Sequence, residues 1–221
     1  MGNELKAIIF DFDGVIAESV NVKTEAFAKM YNQYGNEVVK KVVTHHLSHG
    51  GISRFEKFKL YHKELLEIEL TNQHLQELAN RFSELVVKKV VDAPFVPGAL
   101  EFIQGNYKYY DLFISSGTPE NELKEIMIRK KIYNYFISIF GSPDKKIKHV
   151  TTIKKRWNYK QKNILFVGDA RSDYEAAKKS NIMFIYRRNT ESEEFILDDR
   201  VITIADLKIF PTIIERIFDK D

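Results

Sequence analysis

The sequence predicts an open, doubly wound α/β fold, a parallel sheet with helices on both faces, interrupted once by an inserted helical bundle. Three observations predict it. Short runs that are apolar on both faces recur along the chain, as buried parallel strands do. Segments of helical spacing lie between most of them. Between residues 17 and 92 the strand-like runs stop, and a proline-free stretch of helical periodicity takes their place.

The first strand is expected over Leu5–Phe10, and the next four over Leu112–Ser115, Ile137–Phe140, Ile164–Val167 and Met183–Tyr186, with Val201–Ile204 as a sixth candidate. Pro97-Gly98 opens a helix that runs to about Tyr107, and Ser172–Ser180 reads as another. Thr118-Pro119 predicts a third, with Thr118 as its N-cap and Pro119 at the first helical position. Within the insertion, Phe55, Phe58, Tyr61, Leu65 and Ile68 recur at helical spacing. So do Leu75, Leu78, Phe82 and Leu85, with Thr71 as N-cap. The expected organisation is therefore a core of residues 1–16 and 93–221 with a small helical bundle, 17–92, placed after the first strand like a lid.

At 221 residues the chain suits one large domain or two modest ones. The net charge of +3 is spread along the chain, so nothing invites nucleic acid. There is no cysteine, which excludes disulfides, thiolate nucleophiles and Cys-ligated metals and suits a cytoplasmic protein. No run reaches membrane-spanning length, and a signal peptide is not expected ahead of so early a strand.

The stretch Ala7-Ile8-Ile9-Phe10-Asp11-Phe12-Asp13-Gly14-Val15 breaks an apolar run with two acids. At i and i+2 of an extended chain they point to one side, and like charges so close call for a cation or a shared proton. In parallel sheets, ligands bind beyond the carboxyl ends of the strands. After the second strand those ends carry Ser115, Ser116, Gly117 and Thr118; past the third, Lys145, Lys146 and Lys148; after the fourth, Asp169 and Asp173. This set suits phosphoryl transfer. Asp11, Asp169 and Asp173 offer oxygen ligands to Mg²⁺. Ser115, backbone N–H groups and a lysine can hold phosphate oxygens. One Asp can attack phosphorus while the other protonates the leaving oxygen and later activates water.

These motifs resemble those of the haloacid dehalogenase superfamily, in its phosphatase branches. "DFDGVIAES" is similar to the first motif, "FISSGT" to the second, the lysine region to the third and "VGDARSD" to the GDxxxD form of the fourth. The resemblance spans nearly the whole chain and implies a Rossmann-like core. It implies Asp11 as nucleophile forming an aspartyl-phosphate, and Asp13 as general acid/base whose carbonyl ligates metal. It further implies Ser115 on the phosphate, with Ser116 and Gly117 beside it, and Lys146 bracing nucleophile and phosphate. Asp169 would bind Mg²⁺, with Asp173 supporting the metal directly or through water. The insertion resembles the helical cap of the phosphoglycolate phosphatase and β-phosphoglucomutase subgroup. Its "GGISRFEKF" would set Arg54 over the leaving group, and Lys23 lies in the first cap helix, facing the cleft. Two positions depart from the subgroup's pattern: Glu18 replaces a usual Asp, and Lys23 is not the residue expected there.

Competing readings stand beside these. Family spacing from Gly141-Ser142-Pro143 favours Lys146 over Lys145 and Lys148, while Asp173 could serve only as a helix cap. Arg54 could be a surface charge. His45 and His49, four apart, lack a third ligand for zinc and read as ordinary cap residues. Lys154, Lys155 and Arg156 beside Trp157 read as a solvated helix end. The expected activity is Mg²⁺-dependent hydrolysis of a small phosphorylated metabolite, a sugar phosphate being one candidate. The expected state is a monomer or weak dimer with no nucleic-acid or membrane partner. The rivals are a phosphomutase of the β-phosphoglucomutase type and a catalytically silent binding or regulatory protein on the same fold.

Overall fold

A computed structural model describes residues 4–188, 195 and 197–218. Six strands form one parallel sheet: β1 (Ala7–Phe10), β2 (Asp111–Pro119), β3 (Ser138–Ser142), β4 (Ile164–Gly168), β5 (Met183–Arg187) and β6 (Ile202–Ile204). Their spatial order is β3-β2-β1-β4-β5-β6, so the winding direction reverses at β1. That reversal opens a crevice at the carboxyl ends of β1 and β4, where such sheets bind ligands.

β1 is buried along its whole length because both of its faces meet helices. Ile8 and Phe10 point into one core cluster and Ala7 and Ile9 into the other. The first cluster takes Phe102 and Ile103 from α5 (Ala99–Asn106), Leu123, Ile126 and Met127 from α6 (Glu120–Arg129), and Phe210 and Ile214 from α9 (Phe210–Phe218). The second takes Val150 and Ile153 from α7 (Lys146–Arg156) and Ala176 and Ala177 from α8 (Arg171–Ser180). Continuous apolar strands are what two covered faces require.

The stretch between β1 and α5 folds as α1 (Val20–Tyr31), α2 (Asn36–Ser48), α3 (Arg54–Leu66) and α4 (Asn72–Asp92). Aromatic side chains centre its core, with Phe27 4.5 Å from Phe82 and 5.6 Å from Phe58 between ring centroids. Thr71 caps α4 by accepting the His74 N–H, as its sequence position predicts. Ile68 departs from its expected helical register. α3 ends at Leu66, where Glu67 turns left-handed, and Ile68 lies exposed beyond it. The two chain segments that enter and leave the insertion run side by side, with Ala17 bridged to Phe95 and the Glu18 N–H donated to the Pro94 carbonyl at 2.9 Å. Arg187, at the end of β5, clamps this entry through a two-pronged pair with Glu18 and a bond to the Gly14 carbonyl. No described helix is long and apolar enough to cross a membrane.

A second departure concerns Thr118-Pro119. β2 extends through Pro119 and α6 begins at Glu120, with no side-chain cap. The Thr118 hydroxyl is engaged in the crevice instead of capping the helix.

Candidate active site

The floor of the crevice is acidic because two adjacent strands end in acids. Phe10 pairs with Val167 across β1 and β4, so Asp11 comes level with Gly168 and Asp169 follows one residue on, at the same carboxyl end of the sheet. Asp11, Asp169 and Asp173 are all buried, and one oxygen of each lies within 4.8 Å of the others. Lys146, in the first turn of α7, reaches across them, with Nζ 2.7 Å from Asp11 Oδ2 and 2.5 Å from Asp173 Oδ1. Lys145 turns outward to Glu56 and Lys148 pairs with Asp144, both exposed. Of the three lysines, Lys146 is the one at the carboxylates.

Burial pushes the Asp11 carboxyl up, an effect that Lys146 opposes and Asp13 reinforces. Burial pushes Asp173 well up for the same reason, against the pull of Lys146. For Lys146, burial works downward, but the charges of Asp11 and Asp173 outweigh it and hold the ammonium above its ordinary value. The three buried carboxyl groups gather hard oxygen donors around one ammonium. That donor set fits Mg²⁺, with Asp11, Asp169 and Asp173 as the side chains that would hold it. Asp173 also accepts the Ala170 N–H at 3.1 Å, so it closes the turn into α8 as well as facing Lys146.

Asp13 stands apart from that cluster. Its Oδ1 accepts from Ser19 Oγ at 2.7 Å, and its Oδ2 accepts from Lys23 Nζ and from Thr118 Oγ1 at 3.2 Å. Burial alone would raise its pKa. The Lys23 charge and these hydrogen bonds outweigh burial and hold the carboxyl below its ordinary value. Lys23 also donates to Thr118 Oγ1 at 2.7 Å, tying α1 of the insertion to the end of β2.

The second motif needs a correction. Ser115 shares the parity of Phe113, which points to the α7 side of the sheet, and its hydroxyl lies 2.9 Å from His149 Nδ1, away from the crevice. Burial lowers the His149 pKa to about 4, with Lys146 adding to the effect, and its Nε2 lies 3.2 Å from the Gly141 carbonyl. With Nε2–H donating there, Nδ1 accepts the Ser115 proton. The hydroxyl that lines the crevice beside Asp11 is that of Ser116, with Gly117 and Thr118 next to it. Strand alternation carries the signal that separates the two serines; His149, inside an otherwise ordinary helix, gave none.

The roof is built by the insertion and sits very close. Gly51 is left-handed (φ +70°), and a Cβ there would lie 2.7 Å from Lys146 Nζ and 2.3 Å from Ser172 Oγ. A Cβ on Gly117 would lie 2.5 Å from the Gly51 carbonyl oxygen. Ser53 caps α3 by accepting the Phe55 N–H. Arg54 lines the crevice, but its guanidinium is committed: Nη1 donates to Ser83 Oγ at 2.8 Å and to Glu122 Oε2 at 2.9 Å, and Nη2 donates to Glu122 Oε1. Its expected place over a leaving group gives way to a buried bridge from α3 and α4 to α6. A forked cation beside a buried carboxylate pairs with it. Glu122 had no signal in the sequence. His45 and His49 stack at 4.0 Å, and no third ligand gathers with them among the described residues.

Between floor and roof lies a cavity of about 60 Å³, lined by Asp11, Asp13, Lys23, Arg54, Lys57 and Ser116 among others. That is far below the roughly 300–1,000 Å³ of a ligand cleft, so the roof is closed down on the floor. A pocket of about 250 Å³ adjoins it on the Lys146 side, lined by Gly51, Ser142 and Ser172.

Known proteins agree with this architecture. A curated phosphorylated carbohydrates phosphatase from Thermotoga maritima is 26% identical over 190 residues, 82% of this chain and 84% of its own. Among solved structures, a β-phosphoglucomutase from Clostridium difficile superposes with a TM-score of 0.75 at 18% identity, covering 96% of each chain. A predicted phosphoglycolate phosphatase from Haemophilus somnus superposes with a TM-score of 0.71 at 16% identity, covering 95% of this chain and 97% of its own. Residues 8–186, which contain every floor residue described above, match the haloacid dehalogenase-like hydrolase family model, and the chain belongs to that family.

Proposed function

We propose that this hydrolase is a Mg²⁺-dependent phosphatase that cleaves phosphate monoesters of small metabolites, phosphorylated carbohydrates among them, through a phosphoaspartate on Asp11. The observation that carries the reading is Asp11 itself. It is a buried carboxylate at a strand end, braced at 2.7 Å by Lys146 and set beside two further buried acids. The phosphatase named among its relatives supports the same chemistry.

In this reading a carboxylate oxygen of Asp11 forms a bond to phosphorus and the ester P–O bond breaks. Asp13 gives its proton to the departing oxygen. Asp13, now a carboxylate, takes a proton from water as the water oxygen bonds to phosphorus. The bond to Asp11 then breaks, releasing phosphate and restoring both acids. Lys146, Ser116 and the backbone N–H groups around Gly117 hold the non-bridging oxygens. Bound Mg²⁺ supplies charge neutralisation of the phosphoryl group. Asp13 is ion-paired to Lys23 in the closed structure, which is the water-activating form. For the first step Lys23 must release it, and the closed cavity must open to admit an ester. The insertion thus acts as a cap that excludes water between openings.

The test is hydrolysis of a generic aryl phosphate. Turnover that depends on Mg²⁺ and is lost in Asp11→Asn is expected. Undiminished turnover by Asp11→Asn, or by metal-stripped protein, would overturn the reading.

A further inference from the structure

Four cationic side chains are buried among the described residues: Arg54, Lys57, Lys146 and Arg187. Three have carboxylate partners: Glu122 for Arg54, Asp11 and Asp173 for Lys146, and Glu18 for Arg187. Lys57 differs. It is 2% exposed, and its ammonium donates to His46 Nδ1 at 2.8 Å and to the His46 carbonyl at 3.2 Å. No described carboxylate pairs with it. The charge that acts on it from nearby is Lys23, of like sign.

A cation buried without a counter-charge is costly unless something supplies one. Tying α2 to α3 does not require it, since a neutral donor would serve. Lys57 and His46 line the same cavity as Asp11 and Asp13. They stand on the insertion, close enough to Lys23 for its charge to act on both. A group that leaves with the proton of Asp13 shares this cavity with them.

We propose that Lys57 and His46 form a subsite for a second, non-transferred anionic group, so that the substrate is a phosphate ester also bearing a carboxylate or another phosphate. This rests on the phosphatase reading. With Lys57 donating to Nδ1, the His46 proton sits on Nε2, giving the subsite a second donor. Burial lowers the Lys57 pKa to about 7, and an arriving anion restores its charge. The subsite is therefore strongest when an acidic group fills it.

The test separates this claim from catalysis by using phosphonates, whose P–C bond the proposed ester hydrolysis does not break. Calorimetric titration in Mg²⁺ compares phosphonoacetate, its neutral amide and an alkyl-bridged bisphosphonate, on wild type and on Lys57→Met. Lys57→Gln is the second variant should the first fail to fold. Wild type is expected to bind one or both acidic probes at least about tenfold tighter than the amide, as a charged hydrogen bond provides. The preferred probe identifies carboxylate or phosphate as the natural group. In Lys57→Met that ratio should fall to near one; because it is a ratio, a general loss of affinity cancels. No preference in wild type, or an undiminished preference in the variant, would overturn the proposal. A preference that survives while no ester is hydrolysed would remove the phosphatase reading and leave the subsite standing.

Discussion

The two walls of the cleft are opposites. The floor is acidic, with Asp11, Asp169 and Asp173 at strand ends, and one ammonium, Lys146, among them. The roof is basic, with Lys23, Arg54 and Lys57 on helices of the insertion. Floor positions follow from strand ends, because a parallel ladder brings the carboxyl ends of β1 and β4 to one edge of the sheet. Roof positions follow from how helices pack, which no single spacing encodes. The difference teaches that the floor defines a reaction on a phosphoryl group shared by every phosphomonoester. Selection must come from the roof.

The sharpest way to break the comparison is at the floor. Asp11→Asn should lower turnover by on the order of a thousandfold or more, with the fold retained by circular dichroism, since an amide cannot attack phosphorus usefully. Chelation by EDTA should abolish activity, and Mg²⁺ should restore it. Ca²⁺, which favours looser and higher coordination, should restore little.

The roof should give smaller effects of a different kind. Arg54→Ala leaves Glu122 buried without its cation, so chemical denaturation should show a loss of about 3–5 kcal/mol, largely recovered when Glu122→Gln is added. No coupling between the two substitutions would detach Arg54 from its bridging role.

The smallest effect is a pH signature. The Lys57 pKa is lowered from 10.5 in the unfolded chain to about 7 in the fold, so between those values the unfolded chain binds more protons. The cost of its buried charge is full below about pH 7 and fades as pH rises toward 10.5. Lys57→Met should therefore stabilise the protein by about 1–4 kcal/mol at and below neutral pH, with the gain shrinking at alkaline pH. A gain that does not vary between about pH 7 and 10.5 would mean that Lys57 holds its proton as firmly in the fold as in the unfolded chain.

Much of the floor was legible because strand ends are local. An apolar run followed by Asp11 and Asp13 announces itself, and so does the GDxxxD stretch around Asp169. Family spacing singled out Lys146 among three lysines, and the structure sets that side chain on Asp11. Ser115 was misplaced by one residue, which in a strand reverses the face, and Ser116 takes the position on the cleft. The insertion was legible as helices, since Phe58, Tyr61 and Phe82 recur on buried faces. Its chemistry was not. Arg54 meets Glu122 across 68 residues, and Lys57 meets His46 through the packing of α2 on α3. Periodicity says which face is buried, and it does not say which charges meet there. Thr118 read as a helix cap because the local sequence Thr-Pro allows one; the pull of Lys23 and Asp13 decided otherwise.

The central claim is that Asp11 carries the phosphoryl group, and trapping it is the most direct test. Asp13→Asn lacks the base that activates water, yet an aryl phosphate needs little help to leave, so the intermediate should accumulate. Acid quench of that variant after mixing with an aryl phosphate and Mg²⁺, followed by peptide mass mapping, should find one phosphoryl group on the peptide containing Asp11. It should be labile to hydroxylamine, as an acyl phosphate is, and absent when Asp11 is also replaced by Asn. Turnover without any phosphorylated Asp11, or a phosphoryl group on another residue, would contradict the account.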